Sequence, residues 1–577
     1  METLPREVSP THPTVPLWER PWLDGYPRGV PSSLAYPSIP LSGLLEATAQ
    51  RFPDRPGCTL YGQPTSYAEL AKRSQRLAAT LARMGAGPGR RVAMLLPNIP
   101  EYLIALQATW LTGATVLQLS PLMVPEELQK WLRLLDCHLV VTLDLLAPNL
   151  LANPDGEKSP LERVIVTSLA ERMPTWKSWL YRVERVRRKG PVRLLETDKI
   201  HRFDNLLKPV ERPMVPNVRP EEDVAVMVPT GGTTGSPKVV MLTHRNLVAN
   251  ATQLRYWSLS EEGKDDVLAV LPFFHAYGLS VCALSSLATG ATIHLHPRFE
   301  AEAVLDIIER EKVQLLPAVP AMLNALNRSL RNKPRDLSSI RAVISGASAL
   351  SAATRDEFQS YGAQNVVEGY GLSEASPVTH ANPLGGGSRM GSIGLPLPDT
   401  EARIVDEATG LEEMPIGEAG ELIIRGPQVM KGYFNNPEET AIALRNGWLY
   451  TGDIAKRDRD GYFRIVDRKK DIIKTSGFLV FPAEVEEAIN KFSGVAETAV
   501  VGEPDEQRGE IVVAYVVPEN GSVDLTALQQ HCLDSLSKQK RPMRINVVKE
   551  LPKNFLGKIQ RRKVREANQE EAKGQVS

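Results

Sequence analysis

Glycines, hydroxyl side chains and one lysine are concentrated in residues 230–238, directly after the apolar run 224–228. Glycines permit a tight loop whose amides converge, and hydroxyls with a lysine add donors for phosphate oxygens. The spacing therefore predicts a cradle for a polyphosphate. Its candidate ligands are Thr230, Gly231, Gly232, Thr233, Thr234, Gly235 and Lys238. A Walker loop is excluded because Lys238 follows Ser-Pro rather than a glycine, and the interleaved hydroxyls disfavour a flexible linker.

Three more segments have residue types suited to nucleotide chemistry. Tyr370 lies between Gly369 and Gly371, and an aromatic ring flanked by glycines can lie flat against a purine. The carboxylate of Asp453 can accept both hydroxyls of a ribose, although an isolated aspartate in a turn is more often a turn former. Gly557 precedes Lys558, which predicts a mobile backbone that can deliver an ammonium to developing negative charge.

In this order, these motifs resemble those of the adenylate-forming enzymes, which include acyl-CoA synthetases, firefly luciferase and peptide-synthetase adenylation domains. The resemblance covers roughly residues 40–565 and looks strongest toward bacterial long-chain fatty acyl-CoA synthetases. It implies ATP and coenzyme A as cosubstrates, Mg²⁺ as cofactor and a fatty acid as the acid. The implied reaction has two steps: formation of an acyl-adenylate with loss of pyrophosphate, then thiol attack with loss of AMP.

The resemblance also implies roles for individual residues. His275 would position the acyl carboxylate, whereas a lone histidine is otherwise more often a satisfied core residue. Glu374 would hold Mg²⁺, and Lys558 would drive adenylate formation. The further nucleotide or coenzyme A contacts implied are Gly346, Ala347, Glu368, Gly369, Tyr370, Gly371, Ser373, Asp453, Arg468 and Gly477. Asp467 would be a hinge. The chain departs from the family pattern at Ser373, where many members have threonine, and at Leu556, where most have a small hydroxyl residue.

Several interpretations remain open on the sequence alone. The apolar stretches 279–287 and 315–326 fit either an alkyl channel or plain core helices. An acyl-AMP ligase that uses a carrier protein, and a ligase for medium-chain or aryl acids, are alternatives within the enzyme class. A non-catalytic nucleotide-binding protein is the alternative from another class, and the joint presence of Glu374, Asp453 and Lys558 argues against it.

Bulk properties exclude some functions and leave others open. Sixty-eight basic residues balance sixty-eight acidic ones, so no global field favours nucleic acid as a partner. Four widely spaced cysteines, without zinc-binding spacing, indicate a reduced cytoplasmic setting. The sequence predicts neither a secretory signal nor a membrane span. Residues 173–189 can form an amphipathic helix with tryptophans and arginines, which predicts either peripheral contact with the inner membrane face or a packed surface helix.

The elements that must position these residues are strands and helices that alternate through most of the chain. Strand-like runs at 91–96, 164–167, 224–228, 267–271 and 313–316 alternate with helical patterns, the first of which starts at about Tyr102. This alternation predicts an α/β fold around largely parallel sheets. A β-rich subdomain is expected from about residue 395. A small mobile α+β domain is expected over 467–577, with a helix at 482–490 and strands at 497–501, 511–516 and near Ile545. We therefore predict a large AMP-binding domain, 1–466, followed by a C-terminal domain that carries Lys558.

Overall fold

The structure is a computed structural model of the chain. It describes residues 20–152, 156–173, 178–179, 196–210, 213–230, 238–505, 507–553 and 557–566. The central part of the predicted phosphate cradle, residues 231–237, and most of the predicted amphipathic helix at 173–189 lie outside the described residues.

The strands are numbered in chain order. They are β1 (Pro56–Leu60), β2 (Gln63–Ser66), β3 (Arg91–Leu95), β4 (Thr115–Gln118), β5 (Leu139–Leu143), β6 (Arg163–Thr167), β7 (Ile200–Arg202), β8 (Val224–Thr230), β9 (Lys238–Thr243), β10 (Asp266–Ala269), β11 (Thr292–Leu295), β12 (Leu315–Ala318), β13 (Ala342–Ser345), β14 (Asn365–Gly371), β15 (Val378–Ala381), β16 (Leu395–Pro396), β17 (Glu401–Val405), β18 (Gly420–Arg425), β19 (Gly432–Tyr433), β20 (Leu444–Arg445), β21 (Trp448–Arg457), β22 (Phe463–Arg468), β23 (Ile473–Thr475), β24 (Phe478–Val480), β25 (Val495–Asp505), β26 (Gly509–Pro518) and β27 (Arg544–Val547).

The α-helices are identified by their bounds. They are Gly43–Arg51, Tyr67–Arg83, Pro100–Leu111, Pro125–Leu134, Ala147–Leu151, His244–Trp257, Ser285–Thr289, Ala301–Glu311, Pro320–Asn332, Ala352–Ser360, Pro437–Ala443, Pro482–Asn490 and Leu525–Ser535. A π-helical stretch, Gly278–Leu284, runs directly into Ser285–Thr289.

Contacts group the chain into two compact units. The larger unit consists of Leu23–Thr400 with Arg425–Leu444, and the smaller one of Glu401–Ile424 with Arg445–Ser577 and the segment up to Trp22. The predicted domain boundary at Asp467 stays a prediction.

Two mixed sheets form the frame of the larger unit. One has the strand order β16-β15-β14-β13-β12-β10-β11-β1-β2 and the other the order β19-β9-β8-β4-β3-β5-β6-β7. Their interior strands pair in parallel, and antiparallel pairs occur toward the edges. Interior strands such as β5 and β13 are buried along their whole length, as expected where helices cover both faces of a sheet. The predicted α/β fold is confirmed.

Helix Pro100–Leu111 lies between these two sheets. It contacts β1 of one sheet and β3 and β4 of the other, and every one of its residues is buried. An isolated surface helix would show one apolar stripe, whereas this helix is apolar around most of its circumference, as an internal helix must be. The sequence predicted a helix starting at about Tyr102; Pro100, whose missing amide is harmless in the first turn, begins it.

The smaller unit contains two sheets built mainly from antiparallel pairs, and the pair β26–β27 in the second sheet is parallel. The first has the order β17-β18-β21-β20 with β22 on β21, and it corresponds to the predicted β-rich region. The second has the order β24-β23-β26-β25 with β27 on β26, and helices Pro482–Asn490 and Leu525–Ser535 pack with it around a core that includes Ile473, Val500 and Leu528. The helix predicted at 482–490 has those bounds, and strands occupy the regions predicted near 497–501, 511–516 and Ile545.

None of the helices in the described parts of the chain combines the length and the apolar character needed to span a bilayer.

Candidate functional site

A β-hairpin presents the glycine-rich segment. Strands β8 and β9 pair in antiparallel fashion down to Thr230 opposite Lys238, so the two described ends of the segment are neighbours in one sheet. The Thr230 hydroxyl donates to the Lys238 carbonyl at 3.4 Å. The roles of Gly231, Gly232, Thr233, Thr234 and Gly235 as phosphate ligands stay predictions, because these residues lie outside the described part of the chain.

Lys238 is held by two side chains that the sequence analysis did not select. Its ammonium lies 2.5 Å from Glu439 Oε2 and 5.1 Å from the centroid of the Tyr433 ring. The Tyr433 hydroxyl in turn donates to Glu374 Oε1 at 2.9 Å. Burial, reinforced by the Glu374 charge, raises the pKa of the Tyr433 phenol. In the sequence, Asn436-Pro437 followed by Glu439 signals only the start of a helix, so this pattern could not reveal the contact.

Glu374 belongs to a short 3-10 turn, Ser373–Ala375, that follows β14. Its carbonyl accepts a hydrogen bond from the Met430 amide at 2.7 Å, which fixes the backbone from which the carboxylate projects. Within the described residues, Glu374 Oε2 accepts no hydrogen bond, and no cluster of three metal-ligating side chains occurs. One carboxylate with open coordination positions fits Mg²⁺, which takes few protein oxygens and leaves the remainder to phosphate and water.

Strand β14 carries the predicted adenine platform, where Gly371 is sterically required and Gly369 is tightly packed. A Cβ at Gly371 would lie 2.1 Å from the Pro377 carbonyl oxygen, and one at Gly369 would lie 3.1 Å from Ile344 Cγ2. Tyr370 between them is half-buried and packs edge-on against His380, with ring centroids 5.9 Å apart. The space beside Gly371 is occupied by the backbone of Pro377, and stacking of Tyr370 on adenine stays a prediction.

Glu368 makes contacts different from those expected of a nucleotide ligand. It is 7% exposed, and its two oxygens accept hydrogen bonds from the backbone amides of Leu350 and Gly391, each at 3.0 Å. The carboxylate thus joins two loops on either side of β14. Because both oxygens already accept hydrogen bonds from backbone amides, these contacts indicate a structural clamp, and a direct contact with nucleotide stays a prediction.

Gly346, directly after β13, is also closely packed by a neighbouring side chain. A Cβ at Gly346 would lie 3.0 Å from the Tyr277 ring, and the Tyr277 hydroxyl donates to the Ile344 carbonyl at 2.8 Å. Ala347 adopts φ of +70°, a left-handed conformation that is costly for a residue with a Cβ and that is concentrated at functional sites.

His275 lies in the turn between β10 and the π-helical stretch. Buried Asn98 fixes this turn, because its side-chain amide donates to the Leu271 carbonyl at 2.8 Å and its oxygen accepts from the Phe273 amide at 2.9 Å. His275 Nδ1 accepts from the Tyr277 amide at 3.2 Å. Burial lowers the pKa of His275 to about 4, so the imidazole is neutral near pH 7 and its proton lies on Nε2.

A small apolar cavity of about 30 Å³ lies within the larger unit. Val281 and Ser285 line it from the helical stretch after His275, Leu315 and Leu316 line it from β12, and Ile344 lines it from β13. This volume is well below the usual range for small-molecule sites, about 300–1,000 Å³, so the cavity would have to widen to hold a long acyl chain. Both stretches that the sequence predicted for an alkyl channel therefore contribute to one cavity, and its use by an acyl chain stays a prediction.

The smaller unit brings the predicted ribose and lysine residues together. Asp453 on β21 and Arg468 on β22 face each other across the antiparallel pair, and Arg468 Nε lies 2.6 Å from Asp453 Oδ1. Asp453 is 2% exposed. A buried carboxylate needs a charged partner or several donors to stay ionised, and Arg468 supplies the charge.

Lys558 belongs to the same polar cluster. Burial lowers the pKa of its ammonium, nearby Arg468 lowers it further, and Asp453 opposes both effects. Gly557 before it adopts φ of +79°, which a glycine tolerates without strain. Leu556, whose departure from the family pattern was noted, lies outside the described residues.

Asp467, the predicted hinge, is anchored by its carboxylate. Oδ1 accepts from Arg561 at 2.8 Å, and Oδ2 accepts from the Ala483 amide at 2.7 Å. Arg561 also binds Glu486 through two nitrogens, at 3.0 and 2.7 Å, a bidentate geometry suited to guanidinium. Gly477 has φ of +80° and precedes the exposed Phe478; its contact with coenzyme A stays a prediction.

Comparison with known proteins gives a consistent result. The model described as AMP-binding enzyme matches residues 45–434, and that described as AMP-binding enzyme C-terminal domain matches 484–558. The chain is 40% identical to a long-chain-fatty-acid–CoA ligase of Bacillus subtilis, over 96% of this chain and 99% of that protein.

Among solved structures, the chain is similar to ATP-bound MatB of Rhodopseudomonas palustris, with 28% identity and a TM-score of 0.76. The match covers 91% of this chain and 98% of that one. The chain is also similar to Bacillus subtilis o-succinylbenzoate CoA synthetase in complex with ATP and magnesium ion, with 28% identity, a TM-score of 0.72 and coverage of 90% and 98%.

Buried neutral histidines predict acid sensitivity of the larger unit. Burial lowers the pKa of His244 from 6.5 to about 4, while its Nδ1 accepts the Leu41 amide at 3.0 Å. The imidazole of His244 binds a proton more readily in the unfolded chain than in the folded one. The contribution of neutral His244 to the free energy of unfolding should therefore be fully present above pH 6.5. It should fall by about 1.4 kcal/mol per pH unit as the pH drops toward 4. His244→Gln should flatten the pH dependence of the urea unfolding midpoint over that window. His138→Gln, at a side chain 31% exposed, is the control, and equal slopes in the wild type and His244→Gln would contradict the assignment.

Proposed function

Because this chain belongs to the family of AMP-binding enzymes, we propose that it joins a long-chain fatty acid to coenzyme A at the expense of ATP. The observation that carries the substrate class is the 40% identity to a long-chain-fatty-acid–CoA ligase over nearly the whole of both chains. The small cavity lined by Val281, Leu315 and Ile344 has the apolar character that an alkyl chain needs, and it would have to widen to hold one.

In the first half-reaction, a carboxylate oxygen of the fatty acid attacks the α-phosphorus of ATP. A carbon-bound oxygen becomes bonded to phosphorus, the bond to the bridging α–β oxygen breaks, and pyrophosphate leaves. Lys238 and the loop amides would bind the phosphates, Tyr370 the adenine, and Ser373 a phosphate oxygen. Glu374 would hold Mg²⁺, which when bound supplies positive charge to the phosphate oxygens. Neutral His275 would donate through Nε2–H to the acyl carboxylate without adding charge.

Lys558 is the residue we assign to charge stabilisation in this step. An ammonium removed from water interacts more strongly with charge developing on the carboxylate and α-phosphate oxygens. The lowered pKa of Lys558 reflects this burial, and the neighbouring Asp453 favours its charged form. Asp453 would also accept the ribose hydroxyls, with Arg468 holding its carboxylate in place.

In the second half-reaction, the coenzyme A thiol sulfur attacks the acyl carbonyl, loses its proton, and AMP leaves as the carbon–oxygen bond to phosphate breaks. We assign the backbone at Gly477 to the pantetheine arm, because a residue without a side chain lets a ligand approach closely. We also keep the proposal that residues 467–577 act as a mobile domain hinged at Asp467, since the two half-reactions need different groups beside one acyl carbonyl.

Peripheral contact with the inner face of the membrane through residues 173–189 also stays a proposal. The described Trp179 is 64% exposed, which supports it. Unchanged liposome flotation of a Trp176→Ala/Trp179→Ala variant would count against this contact.

Pyrophosphate release measured with a panel of acids tests the proposed function. With ATP and Mg²⁺, release should depend on palmitate far more than on acetate, an aromatic acid or amino acids, and palmitoyl-CoA should accumulate only when coenzyme A is present. Transfer to a carrier protein instead would indicate an acyl-AMP ligase. No acid-dependent release across the panel would indicate a nucleotide-binding protein without this activity.

Lys558→Ala should separate the two half-reactions. We expect palmitate-dependent pyrophosphate release to fall about 10²- to 10³-fold, as for loss of one preorganised charge-stabilising donor. Supplied palmitoyl-AMP should still react with coenzyme A at a rate close to that of the wild type. Lys553→Ala, which removes a surface lysine paired with Glu497, is the matched control. Equal loss of both half-reactions would show that Lys558 has a different role.

Ser285→Leu should shift the substrate preference toward acids with shorter chains. The added isobutyl group would enter the cavity from the helical stretch that begins at Gly278, where the Ser285 hydroxyl now donates to the Val281 carbonyl at 2.7 Å. We expect kcat/KM for palmitate to fall about tenfold relative to that for octanoate. Octanoate turnover serves as the internal control for folding, and an unchanged palmitate-to-octanoate ratio would place the acyl chain elsewhere.

A further inference from the structure

Tyr433 lies between two groups to which the proposed function gives separate tasks. We propose that Tyr433 is a positioning residue that couples Lys238 to the Glu374 carboxylate, so that both groups meet the ATP polyphosphate in one prearranged geometry. The proposal rests on the proposed function for its catalytic consequences, and on contacts within the larger unit for its geometry. Tyr433 acts through other residues and is not assigned a contact with substrate.

Each end of the Tyr433 side chain holds one of these groups. The hydroxyl donates to Glu374 Oε1 at 2.9 Å, and the ring lies under the Lys238 ammonium at 5.1 Å from its centroid. A hydrogen bond to a carboxylate restricts its rotamer and leaves the other oxygen, Oε2, for a different partner. A cation over a ring face is attracted by the ring quadrupole while its N–H groups remain able to donate.

Glu439 completes the restraint on Lys238. Its carboxylate lies 2.5 Å from the ammonium, and its own backbone is fixed because the Glu439 amide donates to Asn436 Oδ1 at 3.1 Å, in the helix-capping position. The Glu439 carboxylate and the Tyr433 ring each contact one side of the Lys238 ammonium. Together they restrict the directions in which the ammonium can donate to a phosphate. Such preorganisation avoids reorientation when the phosphates bind.

The backbone of Tyr433 is itself held firmly. Strand β19 pairs antiparallel with β9, placing Tyr433 opposite Val240, and the Tyr433 amide donates to the Thr440 hydroxyl at 2.9 Å. Gly432 has φ of +146°, and a Cβ there would lie 2.7 Å from Thr440 Cγ2. Strand β19, which carries Tyr433, is therefore fixed to β9, which begins with Lys238. The backbones of these two residues are thus held in a defined relative position.

A simpler interpretation is that Tyr433 only fills space, since it is 8% exposed. The two interpretations differ in what phenylalanine would do. Phenylalanine keeps the ring, its packing and its face toward Lys238, and it removes only the hydrogen bond to Glu374. A space-filling role predicts that Tyr433→Phe behaves as the wild type, whereas the coupling predicts a defect confined to binding and reaction of the polyphosphate.

The test compares Tyr433→Phe with the wild type and with Tyr26→Phe. The control removes a tyrosine hydroxyl that donates to a backbone carbonyl, Pro396 O, at a similar distance of 2.7 Å. For Tyr433→Phe we expect kcat/KM for ATP in palmitate-dependent pyrophosphate release to fall about tenfold, as for loss of one hydrogen bond to a charged group. Thioester formation from supplied palmitoyl-AMP and the thermal midpoint should match those of the control.

Calorimetric titration with ATP, with and without Mg²⁺, adds a measurement that does not depend on turnover. Mg²⁺ should raise ATP affinity less in Tyr433→Phe than in the wild type or Tyr26→Phe, because Glu374 is no longer oriented. An equal Mg²⁺ effect in all three proteins would overturn the coupling, as would equal loss of both half-reactions together with a lowered thermal midpoint. A wild type that binds ATP but releases no pyrophosphate with any acid would refute the proposed function while the titration still tests Tyr433.

Discussion

Parallel pairing of β10, β12, β13 and β14 is the constraint on which the candidate site of the larger unit depends. In a parallel sheet all strands end at the same edge, so the segments that leave them must lie side by side. The register places Ala318 beside Ser345 and Ser345 beside Glu368. The His275 turn, the Gly346 segment and the Gly369–Gly371 platform are far apart in the sequence, and this shared edge makes them neighbours.

At that edge the segments can approach each other closely where a residue has no side chain. Gly346 leaves room for the Tyr277 ring, and Gly371 leaves room for the Pro377 carbonyl. Buried polar groups complete the arrangement: Asn98 satisfies the turn before His275, and Glu368 satisfies the amides of Leu350 and Gly391. Because unsatisfied buried amides are costly, these side chains stabilise the loops as well as shape them.

Both units hold buried charges in ion pairs, and burial keeps some titratable groups neutral. In the larger unit, His275 is kept neutral by burial, whereas Lys238 is paired with Glu439 and Arg335 with three carboxylates. In the smaller unit, charges of both signs are retained in a buried cluster, where Arg468 pairs with Asp453 and Arg561 pairs with Asp467 and Glu486. Retaining ionised groups away from water requires such partners. A chain with no net charge can therefore bind a highly charged nucleotide, since the required field is local.

The sequence by itself determined the α/β class, the positions of several strands, the helix Pro482–Asn490 and the motifs that carry family membership. These depend on short-range patterns: apolar runs, helix-start residues and glycines beside functional side chains. Only the tertiary structure decided that Glu368 clamps two loops, that Asn98 fixes the His275 turn, and that Tyr433 joins Lys238 to Glu374. The physical reason is separation along the chain. Glu374 and Tyr433 are 59 residues apart, and Lys238 and Glu439 are 201 apart, so no local pattern encodes these contacts. They depend on the pairing of β9 with β19 and on the packing of the turn and helix that carry Glu374 and Glu439.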